Sequence, residues 1–278
     1  MTATTLPKDY VSSVLASLFE LCAVLLLLGA AGTPVLAQVT STWTGGSGEW
    51  APCPNGGGNA LWDTCNLSPP QYPDGNYNAI IQGGAAVTLS GEDGNSIDNL
   101  TVSSGSSLQL VGGYVDITAN SIANNGTITI VNGNGLALIG QGATVTLSGS
   151  GTVNMTSSLS NFRGTAGSNP ILINQETIVG QGSLGIEGFS IQNQGTINAV
   201  GGLLTVQPSS AGIVNTGLME ASSGATLNVV YGFLGPFNNT GGTIKALDGG
   251  IVQLQGEIYT GGTLTTVGSG VIQLTGGT

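Results

Sequence analysis

Histidine is absent from the 278 residues, and only Lys8, Arg163 and Lys245 carry a positive charge. Serine–histidine nucleophile schemes are therefore excluded. So is the clustering of Lys and Arg that a phosphate backbone requires, which removes nucleic acid as a partner. The net charge of -11 disfavours anionic lipid for the same reason. Charged residues make up only 6% of the chain, against about a quarter in ordinary globular proteins. No glycine loop of the phosphate-binding type precedes a helical pattern. Past the N-terminus, no segment is long and apolar enough to span a membrane as a helix.

What remains is rich in Val, Ile, Thr, Gly, Asn and Ser, the mixture of short strands and tight turns. Disordered chains are poor in β-branched residues and rich in charge, so disorder is a poor account of this composition. The N-terminus is different. Lys8 sits in a polar leader, an apolar run follows from Val14 to Leu28, and Val35-Leu36-Ala37 fits small-x-small cleavage. Residues 1–37 read as a signal peptide, with the mature chain starting at Gln38. Glu20 interrupts the apolar run, and an uncleaved anchor over Val11 to Leu36 is the competing reading. Cys22 lacks the small residues that a lipidation site needs before its Cys. In an oxidising compartment, the nearby Cys53 and Cys65 would form a disulfide closing a short loop, worth about 3 kcal/mol in chain entropy. A two-Cys metal site would need partners that are missing, as there is no His and no second Cys pair.

The strongest signal is self-similarity. Ile191-Gln-Asn193-Gln-Gly195-Thr-Ile197 recurs with its apolar anchor at Ile97, Ile122, Leu147, Leu172, Ile213, Phe237 and Ile258, at steps of 19 to 25 residues. Asn stands two positions after six of the eight anchors: Asn99, Asn124, Asn174, Asn193, Asn215 and Asn239. Gly stands four positions after six of them. Each copy holds two or three short strands, too few to bury an apolar face alone. Stacking copies about 4.8 Å apart sets like residues over like and solves this. Asn at the bend tolerates a left-handed backbone, and stacked Asn side chains form a hydrogen-bonded ladder. Gly relieves the same bend. Leucine-rich repeats need a different skeleton, propeller blades are longer, and an antiparallel sandwich has no reason to repeat. The expected fold is all-β, a single-stranded parallel β-helix (β-solenoid) of about eight rungs over residues 97–278. The final rung lacks a cap, so the coil is expected to continue beyond Thr278.

Residues 38–96 hold an N-terminal cap and the first strands. Trp43, Trp50, Trp62, Tyr72 and Tyr77 cluster there with both mature cysteines and five prolines. Plugging the open end of the coil is the plainer role for these aromatics. A ligand-binding platform of Trp43, Trp50 and Trp62 for sugar rings is the sharper one. The acids are thinly spread. Glu92, Asp93 and Asp98 lie in a loop without EF-hand spacing, so no metal is expected there. Glu220 and Lys245 should stack in one column after Asn198, as a surface ion pair rather than a catalytic one. No catalytic residue and no cofactor follow from this pattern.

Thr42-Trp43-Thr44-Gly45-Gly46, then Trp50 and rungs of the Asn-x-Gly-Thr-Ile type, resemble bacterial autotransporter-like and filamentous-haemagglutinin-like surface proteins. That resemblance implies a secreted or cell-surface passenger on the bacterial outer surface, extending away from the cell and acting in adhesion. Its partners would be glycans or the surfaces of host or neighbouring cells, with no membrane insertion of the mature part. A carbohydrate-active enzyme or carbohydrate-binding β-helix is the alternative, by analogy of fold alone.

Overall fold

The computed structural model describes residues 39–50, 62–63, 77–90, 95–111, 116–131, 135–138, 144–164, 169–186, 188–230, 235–256 and 259–275. Residues 1–37, Cys53, Cys65, Glu92, Asp93 and Ile258 lie outside that set, and with them the signal peptide, the disulfide and most of the acidic loop.

Alternation drives the local structure. In Thr127-Ile-Thr-Ile130, Ile128 and Ile130 are buried while the two threonines face outward. The same in–out pattern recurs in Thr152–Met155, Thr226–Val229 and Thr243–Ala246. A period of two with β-branched residues is a strand that buries one face. Each strand is too short to be stable alone, so it pairs with its counterpart one turn on. Every pairing between strands is parallel among the described residues, as a coil winding in one sense requires.

The result is a parallel β-solenoid. Val39–Thr278 form one compact unit. One face is a ten-stranded sheet. In order it contains Val39–Thr42, Tyr77–Ile81, Asn99–Val102, Ser121–Asn124, Thr144–Ser148, Ile171–Asn174, Ser190–Asn193, Ile213–Asn215, Phe237–Asn238 and Tyr259–Thr260. The remaining strands form a 17-stranded sheet folded over two further faces. The second face stacks Ser107–Val111, Thr127–Ile130 and Thr152–Met155, then goes on to Leu218–Ala221, Thr243–Ala246 and Thr263–Thr266. The third runs through Asn161–Gly164, Thr226–Val229, Ile251–Gln255 and Val271–Thr275. Thr177–Leu184 and Thr196–Val206 belong to both, each bending from one face to the next. In Thr177–Leu184, Gly180 and Gly182 make that bend, with φ of 127° and 116°. A Cβ on Gly180 would stand 1.9 Å from the Met155 carbonyl oxygen, so no other residue fits the corner.

Inward residues from the three faces form one continuous core, from Trp43 to Leu254. Within it, apolar anchors do stack: Leu172 on Ile191, Ile191 on Ile213, and Ile213 on Phe237. Three registers differ from the expected ones, the last being Phe237, which pairs with Tyr259 and not with Ile258. Leu100, not Ile97, lies under Ile122, so Val102 takes the place foreseen for Asn99. Between the turns of Leu147 and Leu172, Thr152 keeps its place beside Thr177, yet Leu147 lies beside Asn174 and Val145 beside Leu172. A slip of two leaves every inward side chain inward, so the core tolerates it and the corner absorbs the difference. The coil also begins earlier than the first legible repeat, since Val39–Thr42 already pairs with Tyr77–Ile81.

Candidate functional site

The most ordered polar feature of the protein is inside it. Asn174, Asn193 and Asn215 end successive strands of the ten-stranded face, Asn239 directly follows the next one, and all four are at most 2% exposed. Asn174 Nδ2 donates to Asn193 Oδ1 at 2.8 Å, Asn193 Nδ2 to Asn215 Oδ1 at 2.7 Å, and Asn215 Nδ2 to Asn239 Oδ1 at 2.7 Å. The same amides also bond backbone: Asn174 Oδ1 accepts from the Glu176 N–H, and Asn193 Nδ2 donates to Gly195 O. A buried amide is costly unless its donors and acceptors are used, and this ladder uses them. The reason for Asn is therefore hydrogen bonding. The left-handed backbone suggested by the sequence is not adopted, because Asn169 is the one non-glycine residue with positive φ among the described residues. Gly four positions after the anchor is corrected in the same way in two turns. Gly195 and Gly217 do not have positive φ. Their Cβ atoms would instead lie 2.2 Å from Glu176 O and 2.1 Å from Gly195 O, the backbone of the turn before. Close stacking selects the glycine in those two turns, whereas Gly241 and Gly262, with φ of 85° and 72°, adopt the left-handed bend that the sequence suggested.

Asn99 does not join this column. It is half-exposed, and its Nδ2 donates to Asn78 Oδ1 at 2.6 Å while Oδ1 accepts from Ser121. Asn124 is fully buried but bonds along another line. Its Nδ2 donates to Oε1 of Glu176 at 3.2 Å, a residue two turns further along the chain, and its Oδ1 accepts from the Gly126 N–H.

Glu176 is the site residue that repeat-based reading passed over. It occupies the place where other copies carry Gly, and that exception to the pattern was the available signal. The intervening turn carries Gly149 and Gly151, which have no side chain to offer, and the Glu176 carboxyl reaches past that turn to Asn124. Only 5% of Glu176 is exposed, and its Oε2 has no hydrogen-bond partner. Burial pushes its carboxyl up to about 7, outweighing the Asn124 hydrogen bond that favours the charged form.

The aromatic residues near the N-terminus face inward. Trp43, Trp50 and Trp62 are 2%, 4% and 1% exposed. Trp62 packs edge-on against both others, at centroid distances of 5.2 and 4.8 Å. Trp43 Nε1 donates to Gly46 O at 2.8 Å. The sugar-stacking reading of these three residues is thereby corrected, because a stacking platform needs an accessible ring face and these faces cover one another.

Outward, the register confirms the column Asn198, Glu220, Lys245 on the second face. Glu220 has no second carboxylate beside it there, since its neighbours are Asn198 and Lys245. A hydroxyl column runs alongside through Ser107, Thr127, Thr152, Thr177 and Thr196, and again at Thr243 and Thr263. No group of three or more metal-ligating side chains occurs among the described residues. Comparison with known proteins finds no matching family model, curated protein or solved structure.

Proposed function

We propose that this protein is a non-enzymatic, exported β-helix, displayed on the bacterial surface or secreted, where it acts as an adhesive or structural passenger. One observation carries the reading. The outward columns of the coil are mainly hydroxyls and amides with single apolar residues such as Leu203 and Val214 among them, and the charges on them are scattered singly, as at Glu220 and Lys245. Acid–base catalysis on a glycosidic bond needs two carboxylates set about 5 to 10 Å apart over a groove, and the outward columns supply no such pair among the described residues.

In this reading the indole cluster closes the N-terminal end of the coil. The supporting contacts are those of Trp43 N with Ile80 O at 2.8 Å and Trp50 N with Thr88 O at 2.6 Å, beside the first strand of the ten-stranded face. A Cys53–Cys65 disulfide would tie the same region. Glycans are the partner class that a surface of hydroxyls and amides suits. The test is a glycan array probed with the intact protein, followed by product analysis on each sugar bound. Retention without cleavage is the expected result. Cleavage of a bound glycan would replace this proposal with a carbohydrate-active enzyme, and absence of any retention would restrict it to a structural spacer.

A further inference from the structure

Glu176 lies where three consecutive turns are joined by side chains rather than by backbone alone. Below it is Asn124, above it the Asn174–Asn239 ladder begins, and between them runs the corner of Gly149 and Gly151. A Cβ on Gly151 would stand 2.6 Å from Asn124 Nδ2, and one on Gly149 would stand 2.0 Å from Asn124 O. The corner therefore has no room for a larger residue at Gly149 or Gly151, and Glu176 is the side chain that reaches past it to Asn124. Asn124 supplies a donor to Oε1 and nothing supplies one to Oε2. A carboxylate would leave that second oxygen buried, charged and unpaired. A carboxylic acid leaves it with the lesser cost of a neutral group.

We propose that Glu176 is a pH-sensitive latch: as the neutral acid it ties the Asn124 turn to the Asn174 turn across the glycine corner, and on ionising it loosens that junction. No charged partner competes for it. The strands packed around it are Ser121–Asn124, Thr127–Ile130, Thr144–Ser148, Thr152–Met155, Ile171–Asn174, Thr177–Leu184, Ser190–Asn193 and Thr196–Val206, and they contain no ionisable side chain. The corner residues Asn125, Gly126, Gly149, Ser150, Gly151, Gln175, Gln194 and Gly195 are likewise uncharged. Desolvation is thus opposed only by a neutral amide.

The direction follows from linkage. Below the ordinary carboxyl value of 4.5 the group is neutral in the folded and unfolded chain alike, and the latch contributes fully. As pH rises from there, the unfolded chain ionises first and the folded state loses ground. The loss is complete once pH has passed about 7, where the folded carboxyl also ionises. The Glu176 contribution to stability is therefore greatest in acid, the reverse of a salt-bridged carboxylate. Because turns of a solenoid touch only their neighbours, the loosening concentrates at this junction.

The decisive measurement is a carbon-13 titration of the Glu176 carboxyl in the intact protein, assigned by its loss in Glu176→Gln. A midpoint near 7 is expected. Hydrogen exchange at the Gly151, Gln175 and Thr177 amides, corrected for intrinsic rate, should lose protection at least about tenfold between pH 5 and 8. E176Q, and E176G with the residue that other turns carry, should abolish that dependence. A midpoint in the ordinary range of about 4 to 5 would overturn the proposal. So would wild-type pH dependence persisting in both variants.

Discussion

A buried amide in this coil has one role and an exposed amide has another, and substitution separates them. Asn193→Ala removes the acceptor for Asn174 Nδ2 and the donor to Asn215 Oδ1, leaving both buried without ladder partners. The expected cost is about 2 to 4 kcal/mol, read from denaturant midpoints. Asn99→Ala breaks bonds of similar length at a half-exposed position, and should cost less than about 1 kcal/mol. Equal losses would mean that burial is not what gives the ladder its strength. Glycine offers a parallel contrast. Gly195→Ala drives a methyl to 2.2 Å from Glu176 O, whereas Gly46→Ala meets nothing within 4 Å. Thermal melts should show the first destabilised by about 1 to 3 kcal/mol and the second within about 0.5 kcal/mol of the parent.

At the scale of the strand, the outward columns contribute far less than the inward ones. Glu220 and Lys245 are register neighbours on Leu218–Ala221 and Thr243–Ala246. Pairs on an open sheet surface contribute about 0 to 1 kcal/mol and are screened by salt. Lys245→Ala should accordingly shift the unfolding midpoint by no more than that, and salt should shrink the shift further. A larger loss, insensitive to salt, would show that Lys245 holds something other than its neighbour. The alternation of these strands was legible from the residues alone, because a two-residue period has few other readings. Their exact pairing was not. Even-numbered slips such as Leu147 onto Asn174 preserve the inward set, so hydrophobic pattern cannot distinguish them.

For the molecule as a whole, stability is a sum over turns, and among the described residues Thr263–Thr266 pairs with a neighbouring turn on one side only. Ile244 and Leu264 occupy equivalent inward positions on adjacent strands, yet Ile244 is fully buried and Leu264 is 51% exposed. Ile244→Ala should cost about 2 to 5 kcal/mol, and Leu264→Ala less than about 1 kcal/mol. Chemical unfolding of both variants checks this. Matching losses would mean that Leu264 is covered in solution, by a further turn, another chain or a second copy. The same geometry explains why the interior can hold amides at all: stacking at about 4.8 Å supplies each with a like partner above and below.

The sequence by itself determined the coil. Repetition at about one turn's length, alternation within each copy and the near-absence of charge leave stacked parallel strands as the arrangement that buries every apolar anchor. It also placed four of the six Asn in one column, Asn174, Asn193, Asn215 and Asn239, but not Asn99 and Asn124, whose turns stack in another register. Only the tertiary structure decided where that column ends, why glycine follows it, and which way the indoles turn. Those outcomes depend on distances between turns: a carbonyl 2.2 Å from a would-be Cβ, or a side chain reaching past a turn with none. A linear pattern records which residues recur, but not which neighbour fills the space that a missing side chain leaves. Glu176, reaching Asn124 across two turns, is the clearest case of that difference.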